Sequence, residues 1–286
     1  MDIDKLQHLQ IFSCHGCSKL EHFPEIKYTM KNLKKLDLYG TAIEKLPSSS
    51  IEHLEGLEYL NLAHCENLVI LPESICNLRF LKFLNVNACS KLHRLMESLE
   101  SLQCLEGLYL GWLNCELPTL SGLSSLRVLH LNGSYITPRV IRNDKFLSLL
   151  EELSLSDCNV METRVLDHIF HLSSLKELDL SNCSLMVGGI PNDIYHLSSL
   201  QALDLSGTNI PYMPTSISHL SKLKFLGLSH CKQLQGSLEL PSSIRFLDAH
   251  DCFESLSWQI WLWGSLINCF KSEIQVWFSW HNNPSM

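Results

Sequence analysis

A leucine pattern that returns about every 24 residues constrains this chain more than any other feature. Its cleanest copies are LKELDLSNC from Leu175 and LQALDLSGTNI from Leu200. Counted from the first apolar residue, units begin at Leu9, Leu33, Leu57, Leu81, Leu105, Leu126, Leu150, Leu175, Leu200, Leu223 and Ile244. These eleven starts are separated by 24, 24, 24, 24, 21, 24, 25, 25, 23 and 21 residues. A register held for so long decides the architecture before any local motif is weighed.

In L-x-x-L-x-L the last two leucines lie two apart, so they leave a short strand on the same side while their neighbours leave on the other. One such strand buries a single face and cannot stand alone. Stacked side by side, the units make a parallel sheet over a continuous leucine core, with eleven strands along an arc on the order of 50 Å. Each fully buried leucine contributes roughly 1.5–3 kcal/mol. Pattern and period are those of a leucine-rich repeat. The predicted fold is an α/β solenoid of about eleven repeats over residues 1–252, a horseshoe with a concave sheet and short convex helical turns.

The ninth position of each unit turns the chain out of its strand. Cys17, Cys65, Cys89, Cys158, Cys183, Cys231 and Cys252 occupy it, which places seven of the twelve cysteines in one packing role. Thr41, Ser134 and Thr208 fill it elsewhere. Clustering at one repeat position argues against a disulfide framework and suits a reducing compartment. Many units close on an apolar residue and proline, as at Leu46-Pro47, Leu71-Pro72 and Met213-Pro214, where proline stops a strand or helix. Triplets spaced by three, such as Ile75/Leu78/Leu81, Leu120/Leu123/Leu126 and Ile217/Leu220/Leu223, predict a turn or two of α- or 3₁₀-helix on the returning side. The fifth unit is irregular, with Leu113 in the turn slot beside Trp112, and residues 111–149 are expected to be a distorted middle rather than a domain break. Residues 253–286 carry five of the six tryptophans and leave the repeat. They are expected to be a cap for the last leucine layer or the start of a further domain. Both ends read as cut within a longer architecture.

The formal charge of −8 argues against a binder that works by neutralising phosphates. The start of the chain has no signal-peptide pattern, and no apolar run approaches the roughly 20 residues of a membrane span. The expected compartment is the cytoplasm or nucleus, with no nucleic-acid or membrane partner.

The stretches GCSKLEHFPEI (16–26), LKKLDLYGTAIEKLPSSSIEHLEGLEYLNLAHCENLVILPESICNL (33–78) and LPSSIRFLDAHDC (240–252) resemble the leucine-rich region of plant intracellular immune receptors. Full members of that class carry a TIR domain and a nucleotide-binding domain before the repeats. Residues 253–286, with CFKSEIQ at 269–275, resemble the beginning of the jelly-roll-like domain that follows the repeats in that class. The resemblance, to the tobacco-mosaic-virus and grapevine mildew resistance type, covers almost the whole chain. It implies recognition of pathogen effectors and restraint of a receptor until they arrive. No G-x-x-x-x-G-K-[ST] loop is present, so neither nucleotide switching nor TIR chemistry is carried over.

No catalytic residue, cofactor or metal site is expected. Cys14-x-x-Cys17 has no second pair, and the register puts Cys14 at a core position. His64-Cys65, His230-Cys231 and His250 with Cys252 lack metal-ligand spacing. The sequons at Asn132 and Asn182 need a secretory route that the sequence does not announce. Function is therefore expected on the exposed concave positions: Tyr39, Tyr59, Phe83, Asn85, Tyr109, His130, Asp179, Asp204, Phe225, Phe246 and Asp248. Aromatic residues are enriched among interface hot spots. Glu151, Glu152, Glu177 and Asp179 should form an acidic patch on neighbouring units. The expected function is a non-catalytic recognition module in plant immunity, its partners an effector, a guarded host protein or a receptor's nucleotide-binding domain. The alternatives are an adaptor scaffold and an extracellular receptor-like ectodomain, the latter calling for oxidised neighbours such as Cys65 with Cys89.

Overall fold

The structure, a computed structural model, describes residues 3–137, 139–141, 147–158, 166, 168–185, 189–235 and 238–252. The tryptophan-rich segment 253–286, and with it the expected cap, lies outside them. Eleven strands of three residues pair in chain order into one parallel, unclosed sheet. They are β1 (Ile11–Ser13), β2 (Lys35–Asp37), β3 (Tyr59–Asn61), β4 (Phe83–Asn85), β5 (Gly107–Tyr109), β6 (Val128–His130), β7 (Glu152–Ser154), β8 (Glu177–Asp179), β9 (Ala202–Asp204), β10 (Phe225–Gly227) and β11 (Phe246–Asp248). The pairing puts equivalent repeat positions opposite one another, so that Leu36, Leu60, Leu84 and Leu108 stack in file. The central leucines from Leu36 to Leu226 are at most 2% exposed. The sheet runs without a break through the irregular fifth unit and on to β11.

The strands are short because each is followed by the same tight turn. In the third unit the N–H of Cys65 donates to Leu62 O at 3.1 Å, and His64 between them has φ of 58°. Positive φ at the third residue is the mark of a type II-like turn, which favours glycine. All eleven units adopt it. The left-handed residue is glycine at Gly16, Gly40, Gly133 and Gly207, and a side-chain-bearing residue at His64, Ala88, Trp112, Asp157, Asn182, His230 and Asp251.

In most units the turn slot then ties the unit to the one before. The thiols of Cys65, Cys89, Cys158, Cys183 and Cys231 donate to Leu38 O, Leu62 O, Leu131 O, Leu155 O and Leu205 O at 3.1–3.2 Å. Ser134 donates in the same way to Leu110 O at 3.0 Å. Thr41 and Thr208 instead donate within their own units, to Leu38 O at 2.9 Å and Leu205 O at 2.6 Å. Leu113, buried in the same slot, has no donor to offer. Cys65 and Cys89 are free thiols, so the oxidised pair expected of an extracellular form is not present.

Helical turns follow the prolines on the returning side: α1 (Ser48–Glu52) after Pro47, and 3₁₀ turns Glu73–Asn77 after Pro72, Asn192–His196 after Pro191 and Thr215–His219 after Pro214. The turn expected at Leu120/Leu123/Leu126 does not form a helix. That unit is one of the two 21-residue units, and the described residues of the other, between Leu223 and Ile244, are likewise without a helix. These units cross the convex side in turns and irregular chain, as does the 24-residue unit from Leu9 to Leu33.

A candidate protein-interaction face

Two side-chain columns from each strand line the open face of the sheet: the first strand residue, such as Tyr59, Phe83, Glu152 or Glu177, and the third, such as Asn85, Tyr109, Asp179 or Asp204. Four consecutive units bring aromatic rings into one file. Tyr59 stacks on Phe83 with centroids 4.3 Å apart and planes 4° from parallel. Phe83 meets Tyr109 at 4.9 Å, and Tyr109 meets the edge of His130 at 4.6 Å. Lys35 Nζ lies 4.4 Å from the Tyr59 ring centroid, a cation–π contact that extends the file by one unit. Burial pushes the Tyr59 phenol up to about 12, with the Asp37 carboxylate adding to the rise. The Tyr59 hydroxyl is covered and has no hydrogen-bond partner among the described residues.

The file is diagonal, passing from the first column at Tyr59 and Phe83 to the third at Tyr109 and His130. Gly107 permits the crossing. A Cβ there would lie 3.3 Å from both the Phe83 and Tyr109 rings. Sequence reasoning passed over Gly107; a glycine at a strand position otherwise filled by side chains is the signal that marks it.

The polar candidates play a different part. Asn85, His130 and Phe225 are buried rather than exposed, at 5%, 6% and 2% exposure. Asn85 Oδ1 accepts the N–H of Asn87 at 3.0 Å, and Asp179, Asp204 and Asp248 accept those of Ser181, Ser206 and His250 at 2.9, 2.9 and 3.3 Å. An Asp or Asn at this position closes the strand by taking the backbone N–H two residues on. These side chains shape the turn first and can meet a partner only with what remains of them. Tyr39, half-buried, stacks on His15 at 4.4 Å outside the main file. Phe246 is half-buried on β11.

The acidic patch also rearranges. Glu151 leaves it to bridge Arg127, at 2.6 Å, and Lys176. Glu152 Oε1 accepts a hydrogen bond from His130 Nε2 at 2.6 Å, joining the aromatic file to the acidic strands. Burial raises the Glu177 carboxyl above the usual carboxylate range, and the neighbouring Glu152 adds to the rise. Burial raises Asp204 likewise, against the hydrogen bonds from Ser206. Asp204 replaces Glu151 in the patch, which becomes Glu152, Glu177, Asp179 and Asp204 on β7, β8 and β9.

A second row was missed in the sequence. The residues just before the strands read Lys34, Glu58, Lys82, Glu106, Arg127, Glu151, Lys176, Gln201, Lys224 and Arg245. Charges alternate in sign from Lys34 to Lys176. Glu58 bridges Lys34 at 3.0 Å and Lys82 at 2.8 Å, and Lys224 donates to Gln201 at 2.9 Å. Hydrogen bonds from Lys82 and Lys34 hold Glu58 below the usual carboxylate range. The row is legible once the units are aligned by period, because its members are 21–25 residues apart. With six basic residues against three acidic ones the row is net positive, and it runs beside the carboxylates of the face.

The chain belongs to the leucine-rich repeat region family, whose match covers residues 1–154 and 141–259. Among curated proteins it is similar to a probable disease resistance protein of Arabidopsis thaliana, 35% identical over 78 residues, which are 27% of this chain and 4% of that protein. It is also similar to TMV resistance protein N of Nicotiana glutinosa, 35% identical over 74 residues, 26% of this chain and 6% of that protein. The matched stretches are thus a small part of these relatives' own lengths. Among solved structures, a leucine-rich repeat protein of Leptospira interrogans superposes with a TM-score of 0.63 at 25% identity, over 90% of this chain and 71% of that one. The functional domain of InlJ from Listeria monocytogenes, which includes a cysteine ladder, superposes with a TM-score of 0.65 at 17% identity, over 88% and 56%. The family and these neighbours define a repeat solenoid of the kind that serves protein interaction. No helix among the described residues is long and apolar enough to cross a membrane.

Proposed function

We propose that this chain is a non-catalytic recognition module of plant innate immunity, working in the cytoplasm or nucleus as the repeat region of a nucleotide-binding resistance receptor. The observation that carries the reading is the face itself, where the aromatic file Tyr59–Phe83–Tyr109–His130 abuts the carboxylates Glu152, Glu177, Asp179 and Asp204. Stacked rings offer desolvated area with little side-chain entropy left to lose, and half-buried acids reward a basic group that covers them. A partner suited to this face presents apolar or aromatic side chains to units three to five and Lys or Arg to units seven to nine. An effector, a guarded host protein or the receptor's own nucleotide-binding domain can each carry such a surface. The similarity to disease resistance proteins supports the choice of this partner class.

The test is co-precipitation of the chain with nucleotide-binding domains and effectors in leaf tissue, using Phe83→Ala and Glu177→Lys as face variants and Glu55→Lys on the convex side as the control. Each face variant should weaken capture at least tenfold while circular dichroism stays unchanged. Capture that is the same for all three variants overturns the reading.

A further inference from the structure

At the far edge of the described solenoid, side chains from two successive units converge on the rim. His230, His250 and Asp251 each offer a ligand atom, and the three atoms lie within 4.8 Å of one another. His230 Nδ1 is 3.3 Å from Asp251 Oδ2, and the two imidazoles meet at right angles, with centroids 4.8 Å apart at 80°. The backbones beneath them are tied, with the N–H of His230 donating to His250 O at 2.9 Å. A carboxylate stands behind the second imidazole, since Asp248 Oδ1 lies 2.6 Å from His250 Nδ1.

We propose that His230, His250 and Asp251 form a site for a divalent transition metal of the zinc class. Zinc takes imidazole nitrogen and carboxylate oxygen at about 2.0–2.1 Å in a tetrahedron, whose edge is then about 3.3–3.4 Å. The His230–Asp251 pair already has that separation, and the third ligand closes the remaining gap by rotation of an exposed side chain. With Asp248 holding Nδ1 of His250, the Nε2 lone pair is left for the metal, which is the carboxylate–histidine arrangement that orients metal ligands. Two neutral imidazoles with the charges of Asp248 and Asp251 balance a dication, and the fourth position stays open to water. His64 occupies the same rim position in an earlier unit, where the places of His250 and Asp251 hold Asn87 and Ala88 and offer no comparable ligand set. Ligand spacing in the sequence misses the site because its members are joined by the 21-residue repeat step and not by a local motif.

The experiment titrates Zn²⁺ by calorimetry, and Co²⁺ by visible absorption, into the tag-free, metal-stripped full chain. One equivalent should bind, with the intense absorption of tetrahedral cobalt. His230→Ala and His250→Ala should each weaken binding at least tenfold, and His64→Ala should leave it unchanged. Asp248→Asn should weaken binding about tenfold. Melting curves on every variant show whether the fold persists, and His250→Gln replaces any alanine variant that does not fold. No saturable binding, or binding indifferent to both histidines, overturns the site and leaves an ordinary surface ion pair.

Discussion

The thiol of Cys89 donates to the carbonyl oxygen of Leu62, one unit earlier in the solenoid, across 3.2 Å. That oxygen also accepts the N–H of Cys65, so one acceptor serves the turn of its own unit and the clasp of the next. The bond is what the turn-slot cysteines contribute beyond small apolar bulk. Cys89→Ala should destabilise the chain by about 1–2 kcal/mol, read as a lower urea midpoint. Cys89→Ser, which keeps a donor as Ser134 does naturally, should lose less. Equal losses would show that the thiol acts by volume alone. Burial pushes the Cys89 thiol up to about 12, so it should resist alkylation in the folded chain while exposed Cys104 reacts.

The left-handed turn residues make an opposite pair of predictions. Ala88 holds φ of 58° with a side chain, a conformation that glycine adopts without steric cost. Ala88→Gly should therefore raise stability by about 0.5 kcal/mol, the relieved strain outweighing the entropy that glycine adds to the unfolded chain. Gly207→Ala should cost about 2 kcal/mol or more, because its Cβ would lie 2.1 Å from Asn182 Oδ1. Chemical denaturation of both variants checks the signs.

Gly107 controls the aromatic file. Gly107→Ala should force Phe83 and Tyr109 apart, losing about 0.5–1.5 kcal/mol of ring contact. The near-ultraviolet circular dichroism should change while the far-ultraviolet spectrum holds. An unchanged near-ultraviolet spectrum would mean the file absorbs a methyl group without moving.

Asp204 sets a pH dependence. Burial raises its carboxyl pKa in the folded chain, so the native state keeps this proton to higher pH than the unfolded state does. The position's contribution to stability is full below the unfolded carboxylate value near about 3.9 and is lost as pH rises through the folded value. Asp204→Asn keeps the acceptor for the Ser206 N–H and removes the charge. The variant should melt above the parent at pH 7, and the two should converge near pH 3. An advantage independent of pH would overturn this account.

Glu58 bridges two lysines at the rim. Glu58→Gln should lower the melting temperature in dilute buffer, and the difference should vanish in molar salt, because exposed pairs are screened. A salt-independent loss would point to packing of the side chain instead.

Much of this molecule was legible in order. The L-x-x-L-x-L period predicts eleven strands, their parallel order and the burial of Leu36 through Leu226, because a period of two inside a period of about 24 leaves one way to bury the leucines. Tyr59, Phe83 and Tyr109 were legible as neighbours on the face for the same reason. What the period cannot report is what a side chain does with its polar atoms. Asn85, Asp179, Asp204 and Asp248 read as free face residues, yet their oxygens turn inward to cap a backbone N–H.

The sequence by itself determined the architecture, since repetition of one apolar pattern leaves a stacked solenoid as the arrangement that buries it. Only the tertiary structure decided the use of each position, because its partners lie 20–28 residues away in the neighbouring unit. Stacking joins Cys89 to Leu62, Glu58 to Lys34 and Lys82, His130 to Glu152, and His230 to His250 and Asp251. Those contacts depend on distances of a few ångströms across units, and a one-dimensional pattern holds the spacing of the units but not the direction in which each side chain leaves them.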